Sequence, residues 1–224
     1  MISRPGTKGV PRQQREHQIL DIATTEFGSR GYAYTSLTDI ATLAGVSKPL
    51  IYTYFGSRDG LHAACVHRAG RILVDAVESA QTVTGAHNKA LATLTAIFHA
   101  LDGHTQNWKL IYDASLPRPS EAHTLARQYQ DALNTMGARG VAEALTDKDT
   151  HDAFDHSLLL ALWFSIVSTT INWWGDHPAQ TPQQMSERCL RLINAVRRPT
   201  PPKKPPHQTG DLSASSGDFG RSVR

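Results

Sequence analysis

Cysteine is nearly absent: Cys65 and Cys189 are the only two, and neither has metal-ligand spacing around it. A disulfide framework and a zinc-finger scaffold are therefore excluded, and a reducing cytoplasm is the simplest compartment. Charge is sparse as well. Asp, Glu, Lys and Arg make up 19% of the chain, with a formal net charge of +3. That balance permits a nucleic-acid partner without requiring one. No apolar run marks a signal peptide, because Met1 to Gln14 is polar and carries Pro and Gly. The one uncharged stretch long enough for a membrane is Ser157–Trp174, which Ser165, Ser168, Thr169, Thr170 and Asn172 interrupt. A buried helix is expected there rather than a membrane span. Alternation of apolar and polar residues, the mark of a strand, is missing, and so is any internal repeat.

Proline divides what remains. Five of the twelve prolines fall within Pro199–Pro206, ahead of a Gly/Ser-rich end poor in large apolar residues. Such a tail, residues 199–224, cannot offset its ordering entropy and is expected to be disordered. Residues 1–11 form a looser arm with Pro5 and Pro11. Between Leu50 and Arg198 only Pro117, Pro119, Pro178 and Pro182 remain, each pair marking a loop. Elsewhere apolar residues recur at helical spacing, as in Ile19, Ala23 and Phe27 or Met185, Cys189 and Ile193. The pattern predicts an all-α protein of nine helices, near 12–28, 36–43, 47–54, 57–80, 86–102, 104–114, 120–145, 152–174 and 181–197. Residues 12–62 would form one domain and 63–198 a second.

The stretch from Thr35 to Leu61 carries the function. Ser36-Leu-Thr-Asp39 is a capping-box pattern that opens a helix, and Ala44-Gly45 closes it. Ser47 is positioned to cap the next helix, where Pro49 is harmless in the first turn. Two short helices around a Gly-containing turn make a helix–turn–helix. In its second helix Ile51 and Phe55 point inward, while Lys48, Pro49, Tyr52, Thr53 and Tyr54 give an outer face with a cation, hydrogen-bonding groups and apolar surface for base methyls. Ser57 and Arg58 begin the following helix. Residues 1–62 hold seven Lys and Arg against five acids, so phosphate neutralisation would be local.

Phe27, Gly31-Tyr32, Thr35-Ser36, Asp39-Ile40-Ala41, Ala44-Gly45-Val46-Ser47-Lys48, Ile51-Tyr52-Thr53-Tyr54-Phe55 and Leu61 together resemble the amino-terminal domain of the TetR family of bacterial regulators. The resemblance runs over about residues 12–62. It implies that Ser36 and Thr38 touch phosphates, and that Ser47, Lys48, Pro49, Leu50, Tyr52, Thr53 and Tyr54 enter the major groove or meet its walls. It also implies that Arg58 clamps the backbone. Leu50 departs from the small or hydroxylated residue usual at its position. From charge alone, Arg4, Lys8 and Arg12 would follow the minor groove.

For residues 63–198 the resemblance implies a helical cavity for a small effector, with Phe98, Trp108, Tyr112, Tyr129, Trp163, Phe164 and Val167 as candidate lining residues. Since no charges cluster among them, an apolar or aromatic effector is expected. The surplus apolar surface of 152–174 and the amphipathic 181–197 would pair with a second copy as a homodimer. No cofactor and no metal site is expected. The resulting reading is a repressor that a small hydrophobic effector releases from a palindromic operator on double-stranded DNA. Two alternatives stay open: a metal-dependent hydrolase built on His151, Asp155 and His156, and a constitutive DNA-binding protein without a ligand. The first lacks a full ligand set or a nucleophile–base pair, and acids near a helix start are what the macrodipole favours. Cys65 has only His62 and Arg68 nearby to lower its pKa, so a buried structural role is expected for it.

Overall fold

The computed structural model describes residues 11–146 and 152–197, and among these every regular element is a helix. They are α1 (Arg12–Arg30), α2 (Leu37–Ala44), α3 (Lys48–Phe55), α4 (Arg58–Ala80), α5 (Ala86–Ala100), α6 (Gln106–Ile111), α7 (Glu121–Thr146), α8 (Ala153–Gly175) and α9 (Pro182–Arg197). Each expected helix is present with its ends shifted by one or a few residues, except α6, which is about half its expected length. Gly103 precedes it with φ +68°. At its other end the Asp113 carboxylate captures the amide and hydroxyl of Ser115 at 2.8 and 2.6 Å, turning the chain away. Arg4, Lys8, His151 and the tail at 199–224 lie outside the described residues.

Why α2 and α3 stand where they do is a matter of their ends. The Ser36 hydroxyl accepts the Thr38 amide at 3.1 Å, satisfying one of the free donors of α2. Gly45 ends α2 in the left-handed region, φ +62° and ψ +31°, a conformation costly for other residues. Ser47 occupies the cap position of α3, but its side chain makes no capping bond, so the expected hydroxyl cap is absent there. Ile40, Ala41 and Ala44 of α2 and Ile51 of α3 are buried against Ile19, Leu20 and Ala23 of α1.

The long helix α4 joins the two halves. Leu61, Cys65 and Val66 sit in the core beneath α1, while Leu73 and Val77 of the same helix belong to the core shared with α5 and α7. One apolar cluster therefore runs from Ile19 to Cys189 across the expected boundary at residue 62. Helix α1 also packs directly on α6. Gly28 permits the crossing, since a Cβ there would lie 2.6 Å from Gln106 Cβ and 2.8 Å from the Gln106 carbonyl oxygen.

Helix α8 is only partly buried, less than a core helix. Only Val167, Ile171 and Trp174 are buried. Phe154, Leu158, Leu162 and Ile166, four apart in succession, stand exposed along one stripe, from 83% at Phe154 to 50% at Ile166. By length and composition alone the helix could cross a membrane. Its two faces nevertheless differ, one packed on the core and one bare. Leu190 and Leu192 of α9 are exposed too.

Candidate DNA-reading surface and effector cavity

Helix α3 buries Ile51 completely and turns the opposite side to solvent. Lys48, Pro49, Tyr52 and Thr53 are exposed, and Leu50 and Tyr54 are half-buried. No carboxylate among the described residues pairs with Lys48, so its charge is open to a phosphate or a base edge. Thr53 spends its hydroxyl proton on the Pro49 carbonyl at 3.0 Å, leaving the oxygen's second lone pair outward. Ser36 and Thr38 sit at the mouth of α2, Thr38 exposed. Tyr54 is held from behind, with the Arg12 guanidinium 5.2 Å from its ring centroid. The first residue of α1 is thus tied to α3. Gln18 donates to the Ala44 carbonyl at 3.1 Å, fixing α2 on α1.

Arg58 stands at the start of α4 with its guanidinium turned toward Tyr32. Its guanidinium lies 4.0 Å from the Tyr32 ring centroid and donates to the Tyr32 carbonyl. The Tyr32 hydroxyl in turn donates to Asp59. Stacking on the ring turns the side chain inward, which withdraws most of its donors from the surface. Below this pair, the buried His62 ring sits 4.5 Å from Phe27 and 5.0 Å from Tyr32, centroid to centroid. Among the described residues neither of its nitrogens has a hydrogen-bond partner. Burial lowers its pKa to about 4, opposed by the nearby Asp113 carboxylate and assisted by Arg58.

Two hollows lie deeper. A cavity of about 900 Å³ runs between α4, α5, α7 and α8, and reaches Ile193 of α9. Trp108, Trp163, Phe164 and Val167, four of the candidate lining residues, border this cavity. Tyr112 instead lines a smaller cleft of about 370 Å³ between α1, α6 and α8, and Trp108 borders both. Trp108, Tyr112 and Phe164 form one aromatic wall, with centroids 4.5 to 5.7 Å apart. The Tyr112 hydroxyl is buried without a partner among the described residues, and burial pushes its pKa up.

Two candidate lining residues are elsewhere. Phe98 is fully buried and packs edge-on against Trp174 at 5.6 Å, because α5 turns that side toward the body of α8. Tyr129 crosses over Gly70 of α4, and its hydroxyl lies 2.7 Å from His67 Nδ1. Sequence reasoning also missed the charged part of the larger cavity. Lys89 and Glu143 both line it and pair at 2.5 Å, with His87, Asn88 and Asn134 nearby in the lining. No local pattern joins those two charges; Gly137 and Gly140 in α7, where glycine costs about 1 kcal/mol relative to alanine, mark only a place that needs space.

Around α8's start, Asp152 accepts the Phe154 amide at 2.8 Å and acts as a cap. Among the described residues no group of three His, Cys, Asp or Glu could hold a metal. Cys65 is fully buried, its thiol 3.9 Å from the Leu20 carbonyl, and burial raises its pKa to about 12.

These helices make an all-α protein with an amino-terminal helix–turn–helix unit and a helical, cavity-bearing carboxy-terminal body. Residues 19–65, the helix–turn–helix unit, match the model of the bacterial regulatory proteins of the tetR family. Among curated relatives, it is 34% identical over 105 residues to the HTH-type transcriptional activator FasR of Mycolicibacterium smegmatis, a match covering 46% of this chain and 48% of FasR. The matched stretch thus spans about half the length of that relative. A TetR-family transcriptional regulator from Bordetella parapertussis has the same fold, with TM-score 0.69, 18% identity, and coverage of 82% of this chain and 95% of that one. The ketosteroid transcriptional regulator KstR2 of Mycobacterium tuberculosis is similar, with TM-score 0.68, 17% identity, and coverage of 84% and 96%.

Proposed function

We propose that this chain is a ligand-responsive, DNA-binding transcriptional regulator that acts in the cytoplasm as a homodimer. The observation that carries the reading is the continuity of one apolar core between the exposed Lys48–Pro49–Tyr52–Thr53 face and a 900 Å³ cavity. A solvated, unpaired lysine beside an exposed tyrosine has no packing purpose on α3, whereas a major groove offers both of them partners. Ser36 and Thr38 would meet phosphates, and Leu50 and Tyr54 would fill the apolar edge of the contact.

Two reading units are needed to span successive grooves, with half-sites about 34 Å apart. The α8 stripe of Phe154, Leu158, Leu162 and Ile166, continued by Leu190 and Leu192 of α9, supplies the surface for a second copy. A two-fold axis through α8 and α9 leaves the α3 helices of both copies free. An effector that favours a cavity shape in which α4 is shifted would alter the separation of the α3 pair. DNA affinity then falls, and by linkage DNA weakens effector binding by the same factor.

The test is fluorescence anisotropy with the intergenic DNA upstream of the chain's own gene, at several salt concentrations and with unrelated DNA as competitor. Saturable binding that survives competitor and is lost in Tyr52→Ala is the expected result. Equal binding to any DNA, tracking salt alone, would overturn sequence-specific regulation.

A further inference from the structure

Resting on the effector-cavity reading above, the wall of the larger cavity identifies the chemistry of its occupant more narrowly. Helix α5 is preceded by Gly85, φ +84°, and has no side-chain cap of its own. One amide at its start is served from across the cavity wall by α7. Glu143 Oε1 accepts the Gly85 amide at 2.8 Å, and Oε2 pairs with Lys89 Nζ at 2.5 Å. The Lys89 side chain is 17% exposed and that of Glu143 is 35% exposed, so the ammonium is sheltered while the carboxylate has a way out to water. Among the described residues this is the one ion pair whose two members both line the cavity.

The charged end adjoins the aromatic wall. A Cβ on Gly140 would lie 4.0 Å from Lys89 Cδ, and a Cβ on Gly137 would lie 3.7 Å from Trp163. These two glycines are three residues apart and therefore neighbours on one face of α7. The hollow thus has a carboxylate seated on a cation and an amide in one part of its wall, and Trp163, Phe164 and Val167 in another part of the same lining.

We propose that the cavity takes an amphipathic carboxylate: an apolar body against Trp163 and Phe164, and a head group on Lys89 and the Gly85 amide in the place now held by Glu143. Glu143 is then an internal competitor. Exchanging one carboxylate for another leaves the charge on Lys89 balanced, so the cost of burying an unpaired ion is avoided. The apolar body supplies the affinity and the head group the selection. An alcohol of the same shape gains the apolar contacts only. A ligand without an apolar body gains too little to displace a tethered carboxylate.

Isothermal titration of the full chain with dodecanoate and dodecanol, and with naphthalene-2-carboxylate and naphthalene-2-methanol, tests this without any variant. The pairs also separate a chain-like body from a ring. The carboxylate of at least one pair is expected to bind about tenfold tighter than its alcohol. Glu143→Gln should tighten the carboxylate by a further several-fold and leave the alcohol unchanged. Lys89→Met should erase the preference and Lys89→Arg should keep it, with thermal midpoints confirming that each variant folds. Equal binding of acid and alcohol overturns the carboxylate assignment but leaves the cavity reading standing. Binding by none of the four, with no uptake of the neutral dye Nile red, overturns both.

Discussion

The Arg58 guanidinium lies 4.0 Å from the Tyr32 ring centroid and donates to the backbone carbonyl of that same residue. A planar cation can do both at once, whereas an ammonium cannot stack. Arg58→Lys is therefore expected to cost about 1 kcal/mol of stability, the order of one cation–π contact. Urea unfolding monitored by circular dichroism checks it. A variant as stable as the parent would return Arg58 to the role of a free phosphate clamp.

Caps on α2 and α3 look alike in sequence and differ in bonding. Ser36 accepts the Thr38 amide, and Ser47 accepts nothing at its helix. Ser36→Ala should lower stability by about 1 kcal/mol, while Ser47→Ala should stay within about 0.5 kcal/mol of the parent. Both can be read from the same denaturation series.

At Gly28 two effects oppose one another. Alanine would gain about 1 kcal/mol in helix propensity. Its Cβ, however, would stand 2.8 Å from the Gln106 carbonyl oxygen, a backbone atom that cannot rotate aside. Overpacking of this kind costs about 1–3 kcal/mol, so Gly28→Ala should be net destabilising. A raised thermal midpoint in calorimetry would mean that α6 yields more easily than its contacts indicate.

His62 makes stability depend on pH. Its pKa is about 4 in the folded chain against 6.5 ordinarily, so between those values the unfolded chain binds more protons. Stability from this group is full above pH 6.5 and is lost progressively as pH falls toward 4, by up to about 3 kcal/mol. The groups facing it are Phe27, Tyr32, Arg58 and Asp113. His62→Leu should flatten the curve of unfolding free energy against pH in that window. Glu143, whose pKa is lowered by Lys89, contributes a separate loss in more acid solution.

On DNA, Lys48→Ala should weaken operator and unrelated duplexes alike and reduce the slope of log K against log salt by about one. Tyr52→Ala should weaken the operator more than the unrelated duplex. Anisotropy titrations across salt distinguish the two patterns.

The fold was legible where local chemistry determines it. Gly45 at a helix end, Ile19–Ala23–Phe27 at helical spacing and proline pairs in loops each act within a few residues, and the nine helices followed. Long-range placements were less accessible. Arg58 could be put at the start of α4 from sequence, but the ring it stacks on is 26 residues away. Lys89 and Glu143, 54 residues apart, form a pair that no local pattern announces. Phe98 and Tyr129 carry the same apolar signature as Trp163, and only the rotation of α5 and α7 decides which of them meets the hollow. Helix α8 was expected to be a buried helix rather than a membrane span, with more apolar surface than one core face requires. In a single chain half of that surface has nothing to pack against.

That bare stripe makes abundance a variable in its own right. A form active only as a pair is assembled in proportion to the square of the free-chain concentration when pairing is weak. Replacing Leu158 and Leu162 with glutamate would then shift the switching threshold to higher expression before it changed any single contact with DNA.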